Sequence, residues 1–175
     1  AASFHAIPDS IAKMGSSTAQ LSERMNTVIR FLDVAYSSAA HHVNDLDLMA
    51  WPTQIVHCDW HPGNMLFRGT LRGAGRGADG GSRRPRVVSV MDYDSARIQQ
   101  RVIDVANGAL QFSMLGGSDD VSTWPAHVDA SRYERFVRAY DSVSGCVLTK
   151  LEIRTIPWLM IEALIAEAVI PIAAT

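Results

Sequence analysis

The chain has almost no lysine: Lys13 and Lys150 are the only two in 175 residues. Arginine supplies the rest of the positive charge, and the formal net charge is −2. A balance this close to neutral gives no reason to expect nucleic acid or an anionic membrane as partner. Cysteine is scarce as well. Cys58 and Cys146 stand far apart in different contexts, which argues against a disulfide framework. Charge-free apolar runs of membrane-spanning length are also missing. Segment 156–175 is apolar, but it carries Glu162 and Glu167, which are costly in lipid. Pro157 and Pro171 bracket it, so it reads as a buried helix. Residues 1–9 hold neither a basic stretch nor a useful apolar run, so no signal peptide is expected. With 47% apolar and 19% charged residues, the composition is that of a folded domain. These absences predict one soluble domain in a reducing compartment, most simply the cytoplasm.

What is present begins with helical periodicity. Within 16–38, Leu21, Met25, Val28, Phe31, Leu32, Ala35 and Tyr36 recur every three or four positions and predict one apolar stripe. Ser16, Ser17 and Thr18 offer caps. Residues 43–51 predict a short helix or turn closed by Pro52. Short extended pieces are expected over 53–56 and 65–67, and VVSVM at 87–91 reads as a strongly buried strand. Between them, 68–86 holds six of the 12 glycines and six arginines. This predicts a flexible, solvated Gly/Arg-rich insertion, whose arginines are too loosely held to position a phosphate. Helices are expected over 104–115, 129–143 and 149–174, the last as one long helix or two, interrupted at Pro157. The expected class is mainly α (α+β): helices around a small β-hairpin, in one domain over 1–175.

The chemistry concentrates in IVHCDWHPGNMLF, residues 55–67. His57 and Asp59 follow an apolar run, and Asn64 follows Asp59 by five positions with Pro62-Gly63 bending the chain between them. A carboxylate in such a loop can take a proton from a hydroxyl about 3 Å away. A second apolar run ends in Asp92-Tyr93-Asp94. Asn64 offers a neutral oxygen and Asp92 a charged one, a pair that suits Mg²⁺, whose remaining shell commonly comes from phosphates and water. A proton acceptor beside a two-oxygen magnesium clamp is what phosphoryl transfer requires, because positioning and charge neutralisation carry most of its barrier reduction. Two other readings compete. His57, Cys58, Asp59 and His61 have spacing compatible with a transition-metal cluster, but Pro62-Gly63 opposes a helix through them and no further Cys/His pair completes a shell. The blandest reading makes the four residues caps and surface polarity.

In pattern, His57-x-Asp59-x-x-x-x-Asn64 is similar to the protein-kinase catalytic loop, with Cys58 in place of arginine. In detail, HCDWHPGNML, VMDYDSA and Asp104-Val105-Ala106 resemble the aminoglycoside phosphotransferase and choline kinase-like superfamily. That resemblance implies a role for each matched position. Asp59 would be the catalytic base, with Asn64 and Asp92 as magnesium ligands that also hold the nucleotide phosphates. His57 and His61 would shape the loop in 57–64, and Asp94, in the metal-binding segment 92–94, would reach the metal through water. Asp104 would be a buried helix carboxylate accepting hydrogen bonds from the loop. The implied cofactors are Mg²⁺ and ATP, and the implied partner is a small-molecule hydroxyl acceptor.

The resemblance covers the C-terminal lobe of that fold only. No Gly-x-Gly-x-x-Gly precedes the catalytic loop, the glycines of 68–86 follow it and cannot be carried over to that role, and neither lysine has the V-A-I-K setting of a phosphate-clamping residue. Cys58 stands where the family often has Gly, and RIQQRVIDVA replaces its Gly-x-Pro turn. The expectation is therefore an ATP-dependent phosphotransferase lobe that is weakly active or inactive alone. The alternative is a non-catalytic kinase-like binding or regulatory fragment. The N-terminal lobe, a partner chain or a second copy would cover apolar surface expected near 49–55 and around the hairpin. The acceptor stays open among choline, homoserine, a sugar, an aminoglycoside and a protein hydroxyl. Acids such as Asp119, Asp129, Glu134, Glu162 and Glu167, and Trp60, Trp124 and Trp158, are candidates to line its pocket.

Overall fold

The computed structural model describes residues 19–68, 85–116, 120, 123, 125, 127–143 and 148–173. The expected caps at Ser16–Thr18, most of the Gly/Arg-rich insertion, Lys13, Asp119, Trp124 and Cys146 lie outside them.

Helix α1 is Ala19–Asn44. Its buried face runs through Ile29, Leu32, Ala35 and Tyr36, which pack on Ile165 and Val169 of the last helix, and on to fully buried Ala39 and to Val43. This corrects the expected stripe: Val28 and Phe31 point away, at 49% and 70% exposure. The helix is apolar over a wider arc than its single neighbour covers, so periodicity alone could not choose which part faces inward. The expected turn after it is a 3₁₀ segment, Leu48–Ala50, anchored by buried Leu48.

Among the described residues, four short strands make two antiparallel two-stranded sheets. Strand β1 is Thr53–Val56 and pairs with β4, Arg97–Gln100. Strand β2, Met65–Arg68, pairs with β3, Arg86–Val90, with a register irregularity at Leu66/Phe67. The expectation of a buried VVSVM strand fails: Val87 and Val88 are each 50% exposed. A continuous apolar run buries both faces only inside a covered sheet, and among the described residues a two-stranded ribbon has no such cover.

Helix α2 is Arg101–Ser113, α3 is Ala130–Asp141 and α4 is Lys150–Ala173. The main core lies among these helices: Val102, Val105, Ala109 and Leu110 of α2 meet Val137 of α3 and Ile156, Leu159 and Met160 of α4. Gly108 lets α2 and α3 approach, since a Cβ there would strike the Phe136 ring. Asp129 caps α3 by accepting from the backbone N–H groups of Ser131 (2.8 Å) and Arg132 (3.0 Å). Asp129 N–H in turn donates to Ser113 O at 2.8 Å, which closes the α2–α3 connection. Helix α4 is not interrupted at Pro157, contrary to expectation. The missing N–H costs one helical bond, but Thr155 and Ile156 beside it are both fully buried, and their packing holds the helix through the proline. The result is a mixed α/β fold, with four helices and two small open sheets among the described residues.

One ion pair locks the start of α4 to the start of α2. Arg101 Nε and Nη2 donate to the two oxygens of Glu152 at 2.7 and 2.9 Å, and Thr149 N–H adds a third bond at 2.7 Å. Burial alone pulls the Glu152 carboxyl upward, but the bonds from Arg101 and Thr149 outweigh it and hold its pKa below the ordinary value. A carboxylate depressed in the fold stabilises it above the unfolded pKa, and that contribution fades as pH falls through the folded one. Replacing Arg101 by Met strands a buried charge, so unfolding free energy is expected to drop by about 3 kcal/mol at neutral pH. The deficit should shrink as pH is lowered through the Glu152 titration, measured by urea unfolding at stepped pH. A pH-independent deficit would contradict the pairing.

Candidate active site

The end of β1 runs into a loop that bends sharply at Cys58, whose φ is 63°. This is left-handed backbone, which glycine adopts freely and a side chain only at a cost. The side chain here is small and half-buried, and burial pushes its thiol pKa up, which makes it a poor nucleophile. Cys58→Val is expected to destabilise the fold by about 2 kcal/mol, because β-branching is worst at positive φ. Cys58→Gly should be close to neutral, the relieved strain offsetting the greater freedom of the unfolded chain. Thermal unfolding of the two variants side by side decides this, and equal melting temperatures would show that the turn is unstrained.

The turn is held from below by α2. Asp104, 9% exposed, accepts from the backbone N–H of His57 (3.1 Å) and of Cys58 (2.7 Å), and from the indole Nε1–H of Trp60 (2.7 Å). One turn further along the helix, Asn107 Oδ1 accepts from Trp60 N–H at 2.8 Å. The His57 ring is buried and its Nε2 lies 2.9 Å from Met91 O. A carbonyl only accepts, so Nε2 carries the proton and ties the loop to the segment that precedes Asp92. Nδ1 of the same ring is buried without a hydrogen-bond partner among the described residues. The ring also packs against Trp60 and Tyr93, with centroids 5.2 and 4.9 Å away.

Asp59 follows the turn, partly exposed. Its Oδ2 accepts from Asn64 Nδ2 at 2.8 Å, and that same amide donates to Asp59 O at 3.0 Å. His61 Nε2 stands 3.6 Å from Asp59 Oδ2, while His61 Nδ1 accepts from Gly63 N–H at 3.1 Å. The latter bond places the ring proton on Nε2, facing the carboxylate. Gly63 is required for this closeness, because a Cβ there would stand 2.7 Å from the His61 ring. Pro62–Asn64 forms a single 3₁₀ turn with buried Asn64 at its end. With both amide protons of Asn64 directed at Asp59, its Oδ1 is the remaining polar atom of that side chain.

Asn64 and the Asp92 segment meet through the backbone. Met91 N–H donates to Asn64 O at 2.9 Å, extending the β2–β3 ladder by one bond and bringing Asp92 to the Asn64 end of the sheet. Asp92 also has left-handed backbone, with φ 64°. Asp tolerates this region better than most residues, and departures of this kind cluster at functional sites. Asp92 and Asp94 are both exposed. Among the described residues, no three His, Cys, Asp or Glu side chains are grouped so as to hold a metal ion. That removes the His57/Cys58/Asp59/His61 cluster as a self-sufficient transition-metal centre.

The structure thus gathers His57, Asp59, His61, Asn64 and Asp104 in one hydrogen-bonded turn and ties the Asp92 segment to it. Asn107 was not anticipated. It lies 47 residues from Trp60 in sequence, and nothing local marks it. Trp158 stacks on His42, with centroids 4.0 Å apart and planes 9° from parallel, rather than near the loop. A cavity of about 400 Å³ lies at the opposite end of β1, beside Trp51 and Leu151, with the Arg101–Glu152 pair in its wall. It is not part of the Asp59 arrangement. Surface apolar groups flank the sheets: Met49 and Ile55 at 79% exposure, Ile98 at 71%, with Leu66 and Phe67 on β2. No helix among the described residues is long and apolar enough to cross a membrane. No protein-family model, curated protein or solved structure matches the chain.

Proposed function

We propose that this chain carries the acceptor-activating and magnesium-holding part of an ATP-dependent phosphotransferase acting on a small-molecule hydroxyl. The observation that carries the reading is the Asp59–Asn64 pair with Asp92 joined to it through the β2–β3 ladder. In this reading Asp59 orients the acceptor hydroxyl and takes its proton. Asn64 fixes that carboxylate with its amide protons and keeps its amide oxygen for the metal. Asp92 supplies the charged oxygen. Two oxygen donors are too few to hold a metal tightly, and they fit Mg²⁺, which completes its shell with water and substrate phosphate. Magnesium bound there would neutralise charge on the transferring phosphoryl group. Asp94 stands two residues on, at water-bridging rank, and Asp104 holds the loop that carries Asp59.

The groups for adenine are assigned to a covering lobe, partner chain or second copy seated on the exposed apolar surface of the sheets. A second reading makes the same chain a non-catalytic binding or regulatory module. The apolar exposure of Met49, Ile55 and Ile98, together with a cavity remote from Asp59, favours it. Turnover separates the two. Even without that covering element, purified chain with Mg²⁺ and γ-labelled ATP in large excess, offered a panel of amino sugars, amino alcohols and neutral polyols, should transfer label slowly to at least one acceptor. Transfer should stop when EDTA removes the metal. Label released only to water, or transfer that survives EDTA, would overturn the phosphotransferase reading.

A further inference from the structure

The peptide bond after Asp59 is held by a chain of side chains that begins on the far helix. Trp60 N–H donates to Asn107 Oδ1 at 2.8 Å. The other end of that amide, Nδ2, faces Glu167 Oε1 of α4 at 3.4 Å. Glu167 also accepts from Gln111 Nε2, at 2.9 Å to one oxygen and 2.8 Å to the other. Asn107 and Gln111 are four residues apart on α2, so both present their amides on one face of the helix. An asparagine amide has two ends of opposite polarity, and its environment must select one of them. A carboxylate can only accept, so Glu167 demands the NH₂ end of Asn107. The carbonyl end is thereby turned to the loop, where Trp60 N–H needs an acceptor.

We propose that Asn107 and Glu167 form a polarity relay that positions Asp59, with Gln111 holding Glu167 in register. The relay rests on the phosphotransferase reading for its role in turnover, but not for its geometry. Asp104 holds the turn before Asp59 through the N–H groups of His57 and Cys58, and Asn107 holds the peptide after it. Between them the backbone on both sides of the carboxylate is fixed, which is what a general base needs to stay within hydrogen-bond reach of its proton. Neither Asn107 nor Glu167 touches the acceptor in this scheme. They are positioning residues that act through the loop.

The direction of polarity makes the relay testable. Asn107→Asp keeps an acceptor for Trp60 but sets two carboxylates against each other, so the side chain swings away at neutral pH. Adding Glu167→Gln restores a donor opposite the new carboxylate and completes the relay again. In ¹⁵N-labelled full chain, amide hydrogen exchange at Trp60 should speed up about tenfold in the single variant, in line with the loss of one hydrogen bond. It should return to within about twofold of the parent in the double variant. Asn107→Leu, which offers no acceptor, should show the faster exchange whatever stands at 167. For phosphoryl transfer, kcat should follow the same pattern, falling in the single variant and recovering in the double. Trp60 exchange that is unchanged in Asn107→Leu overturns the relay. So does a double variant no better than the single one, or faster exchange spread evenly over α2, which marks simple destabilisation. If the exchange pattern holds while the parent transfers phosphate to no acceptor, the relay stands as the clamp on this peptide and the phosphotransferase reading falls.

Discussion

Replacing Asp104 by Ala is expected to lower the free energy of unfolding by about 4 kcal/mol, the largest single loss available on the loop. The reason lies in what the carboxylate does for others. It receives two backbone N–H groups and one indole N–H, at 3.1, 2.7 and 2.7 Å, at a site only 9% exposed. Each orphaned buried donor costs about 1–3 kcal/mol, and the sum falls short of three full penalties because the half-buried Trp60 indole can regain water. The turn would lose its anchor while carrying the left-handed Cys58. Asp104→Asn is a sharper comparison. It keeps the shape and one accepting oxygen but turns an NH₂ group toward donors, so it should cost nearly as much as Ala. Urea unfolding followed by tryptophan fluorescence measures both. A loss below about 1 kcal/mol for Ala would show that water replaces the carboxylate without penalty.

The legible part of this fold was the part encoded locally. Strand β1 falls at residues 53–56 as expected, and α3 lies within the 129–143 stretch that its one-sided apolar pattern marked as helical. The loop 57–64 was legible because its chemistry sits within eight consecutive residues, and His-x-Asp with Asn five positions later leaves few geometries once Pro62-Gly63 turns the chain. What failed depends on distant neighbours. Strand β4 reads RIQQ, with one apolar residue and little β propensity, and becomes a strand only by pairing with β1. VVSVM looked like core because apolar runs usually have layers on both sides, and here Val87 and Val88 face outward. Pro157 looked like a helix break because propensity counts the lost bond and not the buried Ile156 beside it. Asn107 and Glu167 could not be found from spacing at all. They reach the loop across 47 and a further 60 residues, through contacts that exist only after α2 and α4 pack. The rule that separates these cases is range: local backbone demands are written in neighbouring residues, whereas burial and polarity partners are decided by packing.

Asp59→Asn is the substitution with the largest expected effect on transfer. The carboxylate now has one oxygen committed to Asn64 Nδ2 at 2.8 Å, and among the described residues no hydrogen bond holds the other. An asparagine at this position would offer its carbonyl to Asn64 and its NH₂ group outward. The shape survives, but the outward atom becomes a donor and cannot take a proton from an acceptor hydroxyl. Loss of a positioned base is worth about 10²–10⁴ in rate, so kcat should fall by that factor. The KM for ATP should stay within about twofold, because Asn64 and Asp92, rather than Asp59, are assigned to the metal and phosphates. Stability should change little, since the side chain is partly exposed and keeps its bond to Asn64. Asp59→Glu separates charge from placement. It retains the base but carries it one methylene further from the Asn64 amide, and misplacement of about 1 Å is enough to cost about 10²-fold. A Glu variant as impaired as the Asn variant argues for position, and a Glu variant close to the parent argues that charge alone suffices. An Asn variant that keeps more than a third of the parental kcat would remove Asp59 from the chemistry and leave the loop as a folding element.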